Sequence, residues 1–579
     1  MIETRSGLYT KSGLAVPLQG VEVDAAIFGG HAAVKVRQRY VNREPVAVEA
    51  VYTFPLPSDG TLSGFAMMCA GRRLQGVVKS REEAFREYDE AVSQGHGAAL
   101  VDQERANVFT AQVGNLLPNE ETVIEVEYVQ KLRVDEGLLR WSIPTLVAPR
   151  YIPGTPKGNR SAHGEADPTD LVPDADRITP PRGEVLYGLK LEAVFDLGAG
   201  VRVESPSHAI TSVAEEGGRI RVTFSSREIA LDRDVVLTAR NVERGPITAV
   251  SAHKAAGPGT FALTVVPDLF EGKAVEPQDV VFLIDTSGSM AGASLAEARS
   301  ALRLCLRHLR EGDRFNIISF NSVFDAFSPE PVLFTQRTLE EADKWVGALS
   351  ADGGTELLAP LLHALKNAPN AIVVLLTDGQ VGNEAQILRE ALAVRKRARV
   401  YSFGIGTNVS DALLRDLSRE TRGAMELIHP GERIDEKVTA QFARAVAPRI
   451  EEVSVTFDGV DVQELSPAPL PPLVDGEPWV LFGRYTRGGR GRAELRGVRH
   501  EKSGPQAFAL SVEVMFPEQA DAPHLAKLWA RERIRDLERA HLTGRRSEAN
   551  KERISKLAIE HQLVTELTSF LVVEHRTAD

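Results

Sequence analysis

Residues 280–290 read VVFLIDTSGSM, five apolar residues running into Asp285, Thr286, Ser287, Gly288 and Ser289. A short apolar run of this kind fits a strand buried on both faces, and the small polar residues after it are the types that turn a chain and begin a helix. The stretch that follows, SLAEARSALRLCLRHL (294–309), is amphipathic at helical period. The alternation then repeats: RFNIISF (314–320), AIVVLLTD (371–378) and RVYSFGIG (399–406) are apolar runs, and QILREALAVRKRA (386–398) is another amphipathic stretch. Strands alternating with helices imply βαβ units, hence a mostly parallel, Rossmann-like sheet with helices on both faces. Residues 271–446 are assigned to this α/β domain.

On either side the period changes to two. VEVDAAIFGGHAAVKVRQRYVN (21–42), AVEAVYTFPLP (47–57), TVIEVEYVQKLRV (122–134) and LLRWSIP (138–144) read as antiparallel strands, so residues 1–150 are expected to form a β-sandwich. One helix interrupts them, SREEAFREYDEAVSQG (80–95), with Ser80 placed to cap its start, Glu83 three residues on, and Gly95 near its end. Residues 151–182 are rich in Pro, Gly and Asp without periodicity and are expected to be an exposed loop. Strand patterns return in 183–270 (YGLKLEAVFDL, IRVTFSS, DVVLTAR) and in 447–522 (EEVSVTFDG, PWVLFGRYT, QAFALSVEVMF). These two stretches are predicted to pair into one flanking sandwich with the α/β domain inserted, since neighbouring termini make insertion tolerable. Residues 523–579 read as a helical region, and the whole is multidomain α+β.

The chain has 579 residues, too many for one hydrophobic core, and its 43% hydrophobic and 26% charged content is that of an ordinary folded protein. Asp and Glu outnumber Lys and Arg by 80 to 68, a formal charge of −12 that argues against nucleic acid as a partner. No apolar run approaches the length of a membrane span, and MIETRSGLYTKSG lacks the form of a secretory signal, so a cytoplasmic location is expected. Cys69 and Cys305 stand far apart in apolar contexts and read as two buried thiols.

The chemistry concentrates at the carboxyl ends of the parallel strands, where α/β sheets bind ligands. Asp285, Ser287 and Ser289 lie on the first turn, Thr355 on the Gly-rich loop DGGTEL (352–357), and Asp378 at the end of VVLLTDG (373–379). A lone Asp-x-Ser-x-Ser is as well explained by helix capping. Three loops converging five oxygen side chains on one sheet edge are not. Such a set suits Mg²⁺, a small hard cation that takes oxygen ligands and one or two carboxylates; Mn²⁺ would also fit. The hydroxyls of Ser287, Ser289 and Thr355 can ligate directly, with Asp285 and Asp378 binding directly or through water. Two carboxylates balance the ion, leaving an open position for an acidic residue of a protein partner.

These five positions resemble the metal-ion-dependent adhesion site of von Willebrand factor type A domains. That resemblance implies that Asp285, Ser287, Ser289, Thr355 and Asp378 hold the ion and that a partner carboxylate completes its shell. FREYDEAVSQG (85–95), NVFTAQVGNLLPNEETVIEVEYVQKL (107–132) and IPTLVAPRYIPG (143–154) resemble the vault protein inter-alpha-trypsin (VIT) domain. That domain precedes a type A domain in inter-alpha-trypsin inhibitor heavy chains and in the intracellular von Willebrand factor A domain-containing protein 5A group. LWARERIRDLE (528–538) and HQLVTELTSFLVVE (561–574) are similar to that group's tail. The Asp-Pro-His-Phe motif that attaches secreted heavy chains to chondroitin sulfate is missing, which favours the intracellular branch.

Other chemistries fit less well. The 13 histidines are scattered, His308 and His363 fall on helical stretches, and there is no HExxH, GxSxG or GxxxxGK. FGIGTNVS (403–410) has Val409 where a dinucleotide fingerprint needs its third glycine. RKRAR (395–399) suits a helix end, and the Gly-Gly of RYTRGGRGR (484–492) suits a hairpin turn. The terminal helix, with Leu525, Leu528, Trp529, Ile534 and Leu537 on one face, is expected to pack on its own domain. The expectation is a metal-dependent protein-binding or scaffold module and not an enzyme. The alternatives are a metal-dependent hydrolase and a structural protein stabilised by its metal; the sequence does not set the oligomeric state.

Overall fold

Alternating burial along the strands is what the period-two segments produce. In the computed structural model His31–Val41 pairs antiparallel with both Leu18–Phe28 and Glu121–Lys131, burying Ala32, Val34 and Tyr40 from one face. The structure describes residues 8–575 except 11–14, 17, 29, 70, 133, 136, 146, 148, 160–163, 180–187, 227–228, 231–232, 243–247, 255–256, 268–276, 502–503, 521, 523 and 543–546. They divide into two compact units: Met1–Glu243 with Asp279–Thr439 and Val564–Asp579, and Arg244–Gln278 with Ala440–Leu563.

In the first unit an eight-stranded and a seven-stranded sheet share one core, in which Tyr40, Tyr52, Phe54, Phe65, Phe109, Phe195 and Phe570 are buried. Each such side chain contributes roughly 1.5–3 kcal/mol by leaving water. The helix Arg81–Ser93 forms as its caps foretell: the Ser80 hydroxyl accepts from the Glu83 amide, and Gly95 beyond its end takes φ +82°.

The α/β part of the unit has the central strand order 314–320, 279–285, 372–377, 399–405, 425–428, all parallel, with Phe324–Ala326 antiparallel at one edge. The apolar runs are buried: every residue of Ile372–Thr377 is shielded from solvent to within 2%, as expected of strands covered on both faces.

The second unit is a separate sandwich. Thr248–His253 and Gly259–Val265 join Val462–Ser466 and Trp479–Tyr485 in one sheet, and Arg449–Asp458, Leu473–Val474, Gly489–Glu501 and Gly504–Phe516 form the other. Phe261, Trp479, Tyr485, Leu495 and Phe516 fill the space between. The α/β domain is thus inserted between strands that pair with each other, Gly259–Val265 with Trp479–Tyr485.

Four sequence expectations need correction. Of the 183–270 strands, only Thr248–His253 and Gly259–Val265 complete the flanking sandwich; Leu189–Asp196 pairs in parallel with Leu18–Phe28 and so belongs to the N-terminal sheets. Periodicity reveals which face of a strand is buried, not against which neighbour. The stretch 151–182 is not wholly an exposed loop, because Val172, Ala175 and Ile178 make a small buried cluster around the helix Ala175–Ile178. Helices His524–Leu542 and Ser547–Glu560 fill most of 523–579, but Thr568–Glu574 is a strand between Gly97–Arg105 and Val77–Ser80. Gly488 and Gly489 do not turn a hairpin; the strands they join, Trp479–Tyr485 and Gly489–Glu501, lie in different sheets. The terminal helix buries Leu525, Trp529 and Ile534 in its own unit, and Cys69 and Cys305 are buried free thiols, both as expected. Among the described residues no helix is long and apolar enough to cross a membrane.

Candidate metal centre

Asp285 is the final residue of the strand Asp279–Asp285 and is fully buried. Both of its oxygens are committed: Oδ1 accepts from the Ser287 amide at 2.8 Å and Oδ2 from the Thr377 hydroxyl at 2.5 Å. Ser287 is buried and Ser289 exposed, and their hydroxyl oxygens lie 3.1 Å apart. Asp378, buried one residue beyond the strand Ile372–Thr377, accepts from the Gln380 amide at 3.1 Å through Oδ1, while its Oδ2 has no partner.

The Thr355 loop is tied to the same turn through its backbone. The Gly288 amide donates to the Gly353 carbonyl at 3.0 Å, and the Asp352 amide to the Thr286 carbonyl at 2.8 Å. Gly353 holds a φ of +74°, a conformation that only glycine adopts without strain. Thr355 itself is buried. All five residues named from the sequence therefore stand on three adjoining loops at one sheet edge.

The electrostatics of this edge are unbalanced. Burial, with repulsion from Asp378 added to it, pushes Asp285 up to about 7, and burial raises Asp378 as well, against the hydrogen bond from Ser289. No guanidinium or ammonium group pairs with either among the described contacts. Buried charges without compensation are costly, so the pair is relieved either by a proton or by a cation. Among the described residues no group of three or more His, Cys, Asp or Glu side chains is arranged to hold a metal, so hydroxyls must supply the rest of any shell here. Thr377, which the motif does not include, orients Asp285; a threonine just before the second aspartate, at the end of a wholly buried strand, was the available signal.

A small cleft adjoins the turn after the strand Arg399–Ile405 and is lined by Asp59, Gln130, Arg140, Asp234 and Asp411 among others. Its charged groups are largely paired, Asp411 with Ser58 at 2.7 Å and Arg415 at 3.1 Å, and Arg140 with Glu432 at 3.0 Å. Asp234, which accepts from the Thr145 amide at 3.3 Å, is pushed up to about 7 by burial, and the network lies within the first unit where the sandwich packs on the α/β domain.

Residues 18–128 match the vault protein inter-alpha-trypsin domain and residues 278–427 the von Willebrand factor type A domain. The chain is 28% identical over 608 residues to mouse (Mus musculus) von Willebrand factor A domain-containing protein 5A, covering 99% of this chain and 74% of that protein. It is also 28% identical over 595 residues to the mouse protein mono-ADP-ribosyltransferase PARP4, but spans only 29% of that enzyme's length. Among solved structures, a von Willebrand factor type A protein from Catenulispora acidiphila aligns at 17% identity and a TM-score of 0.36, covering 55% of this chain and 87% of that one. The chain thus carries a VIT domain followed by a von Willebrand factor type A domain and is similar along nearly its whole length to the protein 5A relatives.

Proposed function

We propose that the α/β domain is a metal-dependent protein-binding module and not an enzyme. Mg²⁺, or Mn²⁺ in its place, is held by the hydroxyls of Ser287, Ser289 and Thr355, with Asp285 and Asp378 coordinating directly or through water. One position stays open for an Asp or Glu carboxylate of a partner protein. The observation that carries the reading is the uncompensated acidic pair, with the buried Asp378 Oδ2 lacking a partner. A divalent cation cancels two carboxylates and satisfies the orphaned acceptor in one step. Asp285, with both oxygens engaged, suits a role in orienting the ligands, whereas the free oxygen of Asp378 suits contact with the ion or its water. A cytoplasmic setting belongs to the same reading and is supported by the two buried free thiols.

The test is affinity capture from native cells with the whole chain, in Mg²⁺ and in chelator. Partners captured only in Mg²⁺ and lost with Asp378→Ala, while the variant keeps its folded circular-dichroism spectrum, are the expected result. Identical capture with chelator, or with Asp378→Ala, removes the proposal.

A further inference from the structure

Two consecutive residues that leave the N-terminal sandwich, Arg150 and Tyr151, reach both of the loops that carry Thr355 and Asp378. The Tyr151 amide donates to the Gln380 carbonyl at 2.9 Å, and the Gly382 amide donates back to the Tyr151 carbonyl at 2.9 Å. Together they make a parallel bridge between Tyr151 and Val381. The Tyr151 side chain then turns to the other loop: its hydroxyl donates to Glu356 Oε1 at 3.0 Å, and its ring lies so close to Gly354 that a Cβ there would sit 2.7 Å from Cε2. Arg150, buried, anchors the segment. It donates to the Val381 carbonyl at 3.3 Å and to Asn107 Oδ1 at 3.0 Å, the latter in the sandwich, and it pairs with Glu384 at the start of the helix that follows the Asp378 loop.

Among the described residues no other side chain bridges the Thr355 and Asp378 loops by hydrogen bonds. The Thr355 loop is fixed to the Asp285 turn and to Ser322, whose hydroxyl accepts from the Gly354 amide at 2.9 Å. The Asp378 loop is fixed to the turn beyond the next strand, where the Ser410 amide donates to the Asp378 carbonyl at 2.9 Å. Tyr151 spans the two, its backbone on one and its ring and hydroxyl on the other. The separation of Thr355 from Asp378 is therefore set partly by a residue outside the α/β domain.

We infer that Tyr151 is a positioning residue: a strap running from the VIT sandwich fixes the spacing of the Thr355 and Asp378 loops and thereby sets the affinity of the proposed cation site. This rests on the metal reading above. Octahedral coordination of a small cation tolerates little error in ligand spacing, so loosening one loop against the other lowers affinity without touching a ligand. The strap also makes the sandwich and the cation site energetically reciprocal: whatever displaces Arg150 and Tyr151 weakens the ion, and the ion tightens the strap.

Mn²⁺ binding to the whole chain, read by electron paramagnetic resonance, tests the inference together with hydrogen exchange in chelator. Tyr151→Phe removes only the hydroxyl, and its Kd for Mn²⁺ is expected to rise about three- to tenfold, the usual net worth of one intramolecular hydrogen bond. Its metal-free circular-dichroism spectrum and cooperative unfolding should be retained, which separates positioning from loss of the fold. Glu356→Ala should give a similar rise, and the double variant no more than either single one. In chelator, Tyr151→Ala is expected to speed amide exchange in both 353–356 and 378–382. An unchanged Kd in Tyr151→Phe, with wild type binding Mn²⁺, overturns the inference and leaves the metal reading standing. Wild type that binds no Mn²⁺ sinks the metal reading and the affinity claim with it. Exchange unchanged in either loop of Tyr151→Ala shows that no strap exists, whatever the metal does.

Discussion

Two buried clusters of carboxylate in the first unit are handled in opposite ways. On the eight-stranded sheet Glu125, 3% exposed, faces three cations: Arg73, Arg37 at 3.1 Å and Lys35 at 3.5 Å. Burial alone would raise it, yet the hydrogen bonds from Arg73 and Arg37 and the charge of Lys35 hold it below the usual carboxylate range. At the α/β sheet edge Asp285 is fully buried beside Asp378 with no such partner, and it is pushed up to about 7. The first cluster carries its own counterions and is complete. The second lacks a positive charge, and that difference, more than the identity of any one residue, is what the proposed cation site rests on.

The comparison breaks most visibly if a cation is supplied. At Mg²⁺ about a hundred times its Kd, binding to the folded state alone adds about 2.7 kcal/mol of stability. Urea unfolding with and without Mg²⁺ should show that gain for wild type and none for Asp378→Ala, whereas the Glu125 cluster gives Mg²⁺ nothing to bind. The two clusters also respond oppositely to pH. Asp285 binds a proton in the folded state more tightly than in the unfolded chain, where its pKa is about 3.9. In chelator its contribution to stability is full below that value and is lost as pH rises towards 7; with Mg²⁺ present the trend reverses, because the ion competes with the proton. Glu125, held low, stabilises above the ordinary carboxylate range, and that contribution disappears as acid protonates it. Unfolding midpoints from pH 4 to 8, with and without chelator, would sharpen or erase this contrast.

Smaller effects follow from partial removal of the counterions. Arg37→Ala strips one of the three cations from Glu125 and is expected to lower stability by about 1 kcal/mol, since Arg37 is part exposed and Arg73 and Lys35 remain. Lengthening the comparison to the surface, Arg337→Ala removes a helix pair with Glu341 in full solvent and should leave the unfolding midpoint unmoved.

The placement of the two aspartates was legible because Asp285 and Asp378 each follow an apolar run that ends at the same sheet edge, so strand order alone sets them side by side; Thr355, on a loop between two helices, has no such mark. Thr377 was within reach, as a hydroxyl on a buried strand must find an acceptor. Tyr151 was not, since nothing local in RYIPG shows that a segment without periodicity will add a rung to a distant loop. The parallel pairing of Leu189–Asp196 with Leu18–Phe28 was hidden for the same reason: alternation specifies a face, and a partner about 170 residues away leaves no mark on it.

The strand Thr568–Glu574 completes a sheet begun far upstream, where Ser569 bonds to Asp102 across a sequence separation of 467 residues. At ribosomal speeds of about 5–20 residues per second, the buried strand Gly97–Arg105 waits roughly half a minute to a minute and a half with one ladder of amides and carbonyls unclaimed. The inserted α/β domain, by contrast, has its whole sheet in hand as soon as it leaves the exit tunnel. Nascent chains should therefore be most prone to clump through that open edge, and most in need of chaperone shielding, in the interval before the late strand arrives.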